Sequence, residues 1–160
     1  MLGARIGCLI AFGLVGVGCE DRLAQHAARV ADHNPLMNEA MATARQTVHE
    51  FVDALNSPQN GQSEFRVKKA FIDGEEVEHI WLDNVTKNGQ DFRGYVSRRP
   101  EYVHNAVLGE LVAVRVDEIS DWMYVDQGTL VGGFTIRVLR NALHPKEREH
   151  WDNQAPYRVE

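Results

Sequence analysis

The chain has 160 residues, 44% of them hydrophobic, with 23 acidic against 17 basic side chains and a net charge of −6. That length is the scale of one domain, and the acidic balance argues against nucleic acid and against electrostatic adhesion to anionic lipid, which both use basic patches. The only cysteines are Cys8 and Cys19, so the rest of the chain offers no thiol nucleophile, disulfide or cysteine zinc site.

Arg5 is followed by an apolar run over residues 6–18. The run is shorter than the roughly 20 residues a membrane-spanning helix needs, and it fits the apolar stretch of a secretory leader. Gly16, Val17, Gly18 and Cys19 resemble the lipobox of bacterial lipoproteins, with Gly16 where a larger aliphatic residue is usual. The resemblance implies a signal peptide over residues 1–18 and a Cys19 that is acylated, with palmitate-type chains, as the mature N-terminus. A plain signal peptide cut near Cys19 and an uncleaved anchor remain open. Loss of residues 1–18 removes Arg5 alone among the charged residues, leaving 16 basic against 23 acidic side chains, a net charge of −7. The expected location is the cell envelope, lipid-anchored on the periplasmic or outer face, with soluble export as the alternative. The lipid on Cys19 would then be the membrane contact, since stable anchoring takes more than one acyl chain.

Residues 19–33 read as a tether. Asn34 is a good N-cap and Pro35 a good first helical residue. Met37, Met41, Ala44, Val48, Phe51, Val52 and Leu55 then recur at steps of three and four, a helical stripe that packs on a sheet. Asn56, Ser57 and Pro58 stop it. From Glu64 the period becomes two: Phe65, Val67 and Phe71 alternate with Arg66, Lys68 and Ala70. A turn at Asp73-Gly74 leads to a second strand over residues 77–85. Asn88-Gly89 is a hairpin signal leading to a third strand over 92–97. Residues 111–116 and 119–125 make the fourth and fifth. Strands joined this closely are expected to be antiparallel neighbours. Phe134, Ile136 and Val138 alternate as in a strand, but Phe134, Val138, Leu139, Ala142 and Leu143 also form a helical stripe; residues 134–143 are read as helix with a strand as the alternative, and Pro145 opens a short terminal helix. The expected fold is α+β: an N-terminal helix on a small twisted antiparallel sheet of about five strands, curling toward a barrel, followed by C-terminal helices.

Motifs for chemistry are weak. His49-Glu50 followed by Asp53 approaches a helical zinc signature but lacks its second histidine. Glu-x-x-His occurs at Glu76/His79, Glu101/His104 and Glu147/His150; only the last falls on an expected helix, and a solvated surface explains all three. Gly132-Gly133 before a helix can bind an anion, although a tight strand-to-helix turn is the ordinary use of such glycines. Asp121 and Asp126, five residues apart on a regular strand, point to opposite faces, which disfavours a carboxylate pair. No metal or organic cofactor is expected. Trp122 and Tyr124, which share a strand face, form with Arg137 and Arg140 a candidate partner-binding surface, because Trp, Tyr and Arg dominate binding hot spots; core packing is the plainer use of the aromatics.

The densest segment, ISDWMYVDQGTLVGGFTIRVLRN over residues 119–141, resembles the signature of the domain of unknown function 2314 (YegJ-like) family of small bacterial proteins. EHIWLDNV (78–85) and FRGYVSRRP (92–100) are similar to two further blocks in the same order. LHPKEREHWD (143–152) resembles the family's terminal helix, with His144 in a position commonly held by serine. The resemblance covers residues 35–152 and implies a YegJ-like domain over 34–152 with a tail over 153–160. It brings no reaction or ligand. The expected function is therefore a non-catalytic binding module with an unidentified protein partner. The alternatives are a hydrolase using an unrecognised carboxylate/His site, or an immunity-type inhibitor whose acidic charge meets a basic toxin.

Overall fold

The computed structural model describes residues 34–160; the expected leader, Cys19 and the expected tether lie outside them. The first element, α1 (Pro35–Asn56), begins where its cap is made: Asn34 Oδ1 accepts from Leu36 N at 2.9 Å. Met37, Ala40, Ala44 and Phe51 are its buried positions, so the apolar stripe faces inward. Six strands follow: β1 (Gln62–Asp73), β2 (Glu76–Asn88), β3 (Asp91–Val96), β4 (Leu111–Val114), β5 (Ile119–Asp126) and β6 (Thr129–Gly132). Two helices, α2 (Phe134–Ala142) and α3 (Pro145–Gln154), close the chain. Both were predicted, as was the Asp73-Gly74 turn. At the second hairpin Asn88 pairs with Asp91, so the two loop residues are Gly89 and Gln90, and Gly89 takes the positive φ.

The sheet has six strands rather than about five, in the order β4-β3-β2-β1-β5-β6, and every neighbouring pair is antiparallel. The added strand, β6, is four residues long. The expectation that closely joined strands are neighbours fails between β4 and β5. Residues 115–118, partly a 3-10 turn, carry the chain from one edge strand to a strand on the far side of β1. So short a link can do this only if the sheet curls, bringing β4 round toward β1. Lys69 Nζ on β1 accordingly donates to Ala113 O on β4 at 3.1 Å. The sheet nevertheless stays open.

The curl wraps around α1. Val67, Leu82, Val96 and Trp122 line the concave face through cross-strand register. Phe51 sits among them, with ring centroids 5.7 Å from Phe92, 5.8 Å from Trp122 and 6.0 Å from Phe65. A smaller apolar cluster lies on the convex face, where Met123, Val125 and Leu130 meet Trp81, Ile136, Tyr157 and Val159. The β6 edge is covered: Leu130 N donates to Arg158 O at 2.8 Å, and the Arg137 guanidinium takes Leu130 O and Gly132 O. Among the described residues no helix is long and apolar enough to cross a membrane.

Candidate functional site

Strand pairing places Lys68 on β1 between Trp81 on β2 and Asp121 on β5. All three lie on the convex face, under the start of α2. Lys68 Nζ sits 5.0 Å from the Trp81 ring centroid and donates to Thr135 Oγ1 at 2.9 Å. Thr135 Oγ1 in turn donates to Asp121 Oδ2 at 2.5 Å. The same carboxylate accepts from Thr135 N at 2.8 Å, Phe134 N at 3.1 Å and its neighbour Trp122 N at 2.8 Å. Asp121 therefore occupies the anion position at the N-terminus of α2, satisfying backbone donors that the helix cannot pair itself. Burial lowers the Lys68 ammonium to about pKa 8, against the pull of Asp121. It raises the Asp121 carboxyl, against Lys68 and the Thr135 bonds. The two glycines before α2 make the turn: Gly132 and Gly133 both have positive φ. A Cβ on Gly132 would collide with Trp122 O and its ring.

A second buried carboxylate holds the loop over residues 97–110. Glu78 is 1% exposed. It accepts from Glu101 N, Tyr102 N and Val103 N, and from Arg98 Nη1 at 2.6 Å. Burial alone would raise its pKa; the Tyr102 and Glu101 amides and the Arg98 guanidinium outweigh it and hold the carboxyl below its ordinary value. The loop is further tied by His104 N to Asp73 Oδ2 and by Asn105 Nδ2 to Ile72 O. Val103 and Ala106 point into the core, while Val107 and Leu108 stand out at 62% and 54% exposure beside Leu111 and Tyr95.

The third feature is an open cleft. The β1–β2 ladder ends at Val67–Leu82 although both strands continue. Beyond that point each strand carries a bulge toward its other neighbour, with Glu64 at φ 55° and Asn84 at φ 51°. The left-handed conformation at two non-glycine residues is a local strain. The strands part into a cavity of about 360 Å³ lined by Leu55, Glu64, Phe65, Arg66, Asp83, Asn84 and Val85. Across it Arg66 Nε faces Asp83 Oδ1 at 3.0 Å and Arg66 Nη2 meets Glu64 Oε2 at 3.0 Å. Neither Arg66 Nε nor Asp83 Oδ1 has a well-aligned hydrogen bond. Burial raises the Asp83 carboxyl, with Arg66 opposing. The cleft thus sets Leu55, Phe65 and Val85 beside charged groups whose hydrogen-bonding capacity is incompletely used.

Residues 34–157 match the profile of a family described as "Uncharacterized protein conserved in bacteria (DUF2314)". The chain belongs to the DUF2314 family. It is 33% identical over 111 residues to the uncharacterized protein YegJ of Escherichia coli K12, covering 69% of this chain and 71% of that one. It is also 41% identical over 80 residues to a putative ankyrin repeat protein of Neisseria meningitidis serogroup B, covering 50% of this chain and 32% of the relative. The chain thus spans about a third of that relative's length. No solved structure matches it.

In this DUF2314 chain the residues singled out from sequence are dispersed. Trp122 is 1% exposed and donates Nε1–H to Ala44 O at 2.9 Å; it is core, not surface. Tyr124 is half-buried and stacks on Phe65 at 5.2 Å. Arg137 clamps β6 and the chain terminus, and Arg140 pairs with Asp152 through two bonds of 2.6 Å. The four do not share one surface. His49, Glu50 and Asp53 lie on the exposed side of α1, and among the described residues no three His, Cys, Asp or Glu gather as a metal site. Asp126 accepts from Gln62 Nε2, away from Asp121. The expected tail over 153–160 begins inside α3, and its Arg158 bonds to β6. Sequence reasoning missed the cleft; the Asp83-Asn84 pair directly after Ile80-Trp81-Leu82, two residue types depleted in strands, is the one signal that pointed to it.

Proposed function

We propose that this protein is a bacterial envelope lipoprotein, anchored by acyl chains on Cys19, whose domain is a non-catalytic binding module that recognises an envelope protein or component through the β1–β2 cleft. The observation that carries the reading is the fork itself: two strands held apart by left-handed Glu64 and Asn84, with Arg66 and Asp83 incompletely bonded inside it. Strain of this kind clusters at functional sites. The buried carboxylates that a hydrolase could use are otherwise engaged, Glu78 by loop amides and Asp121 by the α2 terminus. The lipobox-like residues before Cys19 support the anchor.

Two measurements test the reading. Mass spectrometry of the membrane-fraction protein, with Cys19→Ser as control, is expected to find an acylated wild type; an unmodified, soluble wild type rejects the anchor. A photo-crosslinking amino acid at Glu64 in the full chain, expressed in its own envelope, is expected to capture a partner that the same probe at Lys146 on α3 does not. Equal capture at both positions rejects the cleft as the recognition site.

A further inference from the structure

The two sides of the cleft differ. Past the last ladder pair, Val67–Leu82, residues 62–66 of β1 stay in register with β5 and residues 83–88 of β2 with β3, but no ladder joins the two stretches to each other. The bulges at Glu64 and Asn84 keep the strands from zipping shut. Side chains alternate between the faces of the sheet. Arg66 stands opposite Met123 of the convex cluster, and Asp83 opposite the exposed Tyr95, so both lie on the convex side. Leu55, Phe65 and Val85 belong with the concave core. The slot between the strands is thus apolar on one side of the sheet and charged on the other.

β2 offers the longer edge. Past its bulge, Thr86, Lys87 and Asn88 pair regularly with Arg93, Phe92 and Asp91. Asn88 and Asp91 close a two-residue loop, which is a hydrogen-bonded position of the ladder, and bonded and non-bonded pairs alternate along it. Lys87 therefore turns its backbone N–H and C=O away from β3 and into the fork, where β1 supplies no ladder partner.

We infer that the fork takes a single extended peptide segment, which adds as a strand to β2 at residues 85–88. Its alternate side chains are apolar, toward Leu55, Phe65 and Val85, and hydroxyl or amide, toward Arg66 and Asp83. The inference rests on the cleft being the recognition site. An unpaired strand edge is met by another extended backbone, and the two-sided side chains of a strand suit a slot whose two sides differ. Arg66 Nε lacks a well-aligned acceptor and Asp83 Oδ1 a well-aligned donor; a hydroxyl or an amide supplies both. An ionic group of either sign meets a like charge there, in Arg66 or in Glu64 and Asp83. Lying between two strands of one sheet, the slot admits a lone segment and not the edge of a second folded copy.

The test selects short linear peptides from a phage-displayed library on the full chain purified from membranes, and an enriched peptide is then synthesised. Sequences in which apolar residues alternate with Ser, Thr, Asn or Gln are expected. Binding of the synthetic peptide is expected to slow amide exchange at Lys87. It is expected to weaken about tenfold, the equivalent of one or two hydrogen bonds, when Lys87→Pro removes the inward N–H at an edge position that tolerates proline. N-methylation of the peptide backbone tests the same bonds on the wild-type protein and is expected to weaken binding as much, whether or not Lys87→Pro folds. Peptides that bind Lys87→Pro and accept N-methylation without loss overturn strand addition. If no peptide is selected while crosslinking at Glu64 stays specific, the cleft stands as the recognition site and the peptide is rejected as its occupant. A dimeric wild type that Lys87→Pro makes monomeric in light scattering assigns the fork to a second copy and overturns the inference too. Equal crosslinking at Glu64 and Lys146 removes the site and the inference together.

Discussion

Lys68 and Asp121 face each other across β1 and β5 with Thr135 bridging them, and their energetics are asymmetric. Asp121→Ala leaves an ammonium buried without its counter-charge and strips two amides at the α2 terminus of their acceptor. A loss of roughly 3–5 kcal/mol is expected, measured by urea unfolding. Lys68→Met takes the counter-charge from Asp121 but leaves that carboxylate three amides and the Thr135 hydroxyl, so a smaller loss of roughly 1–3 kcal/mol is expected. The pH dependence has a definite sign. Folding lowers the Lys68 pKa from 10.5 to about 8, so between those values the unfolded chain holds a proton that the folded one has released. Stability contributed by this group therefore rises with pH across that window, by up to about 3 kcal/mol, and is flat below and above it. Urea midpoints of wild type and Lys68→Met, compared between pH 7 and pH 10, are expected to show the rise in wild type alone. Gly132 is a separate case. Gly132→Ala must both hold a positive φ and push against Trp122, and a loss above about 2 kcal/mol is expected in thermal melts.

At the scale of elements, the loop over residues 97–110 hangs on one side chain. Glu78→Gln keeps the size but weakens acceptance from three amides and the ion pair with Arg98. Hydrogen exchange at Glu101, Tyr102 and Val103 is expected to accelerate well before that of β1 and β5; uniform acceleration would mean that the loop is not a separate unit. Which elements could be read from sequence follows from how local their signals are. α1 was legible because its cap, its proline and its stripe all lie within the helix, and α2 because a 3.6-residue stripe outweighed a short alternation. β6 was hidden by its length, four residues between two glycine turns. Lys68 alternates like a solvent-facing residue, yet it is buried because Trp81, Asp121 and α2 come from elsewhere in the chain to cover it. Trp122 carries the residue type of a binding surface, but its environment is set by α1, nearly eighty residues earlier. The cleft depends on backbone conformation at Glu64 and Asn84, which no periodicity reports.

The whole molecule has one principal core, and Phe51 is at its centre, touching rings from β1, β3 and β5. Phe51→Ala is expected to cost about 3–5 kcal/mol while leaving a single unfolding transition; two transitions in calorimetry would show that the sheet and α1 are separable. The central strand has a consequence for the making of the protein. β1 finds its first partner, β2, across a short turn, but its second, β5, only after residue 126 is in place, 64 positions beyond Gln62. While synthesis runs from one end to the other, β1 therefore waits with an open edge in the middle of the future sheet. Arg66, Lys68 and Lys69 stand along that edge, and cationic side chains there repel a like strand from a neighbouring nascent chain. The lysine buried in the finished core thus guards the unfinished one.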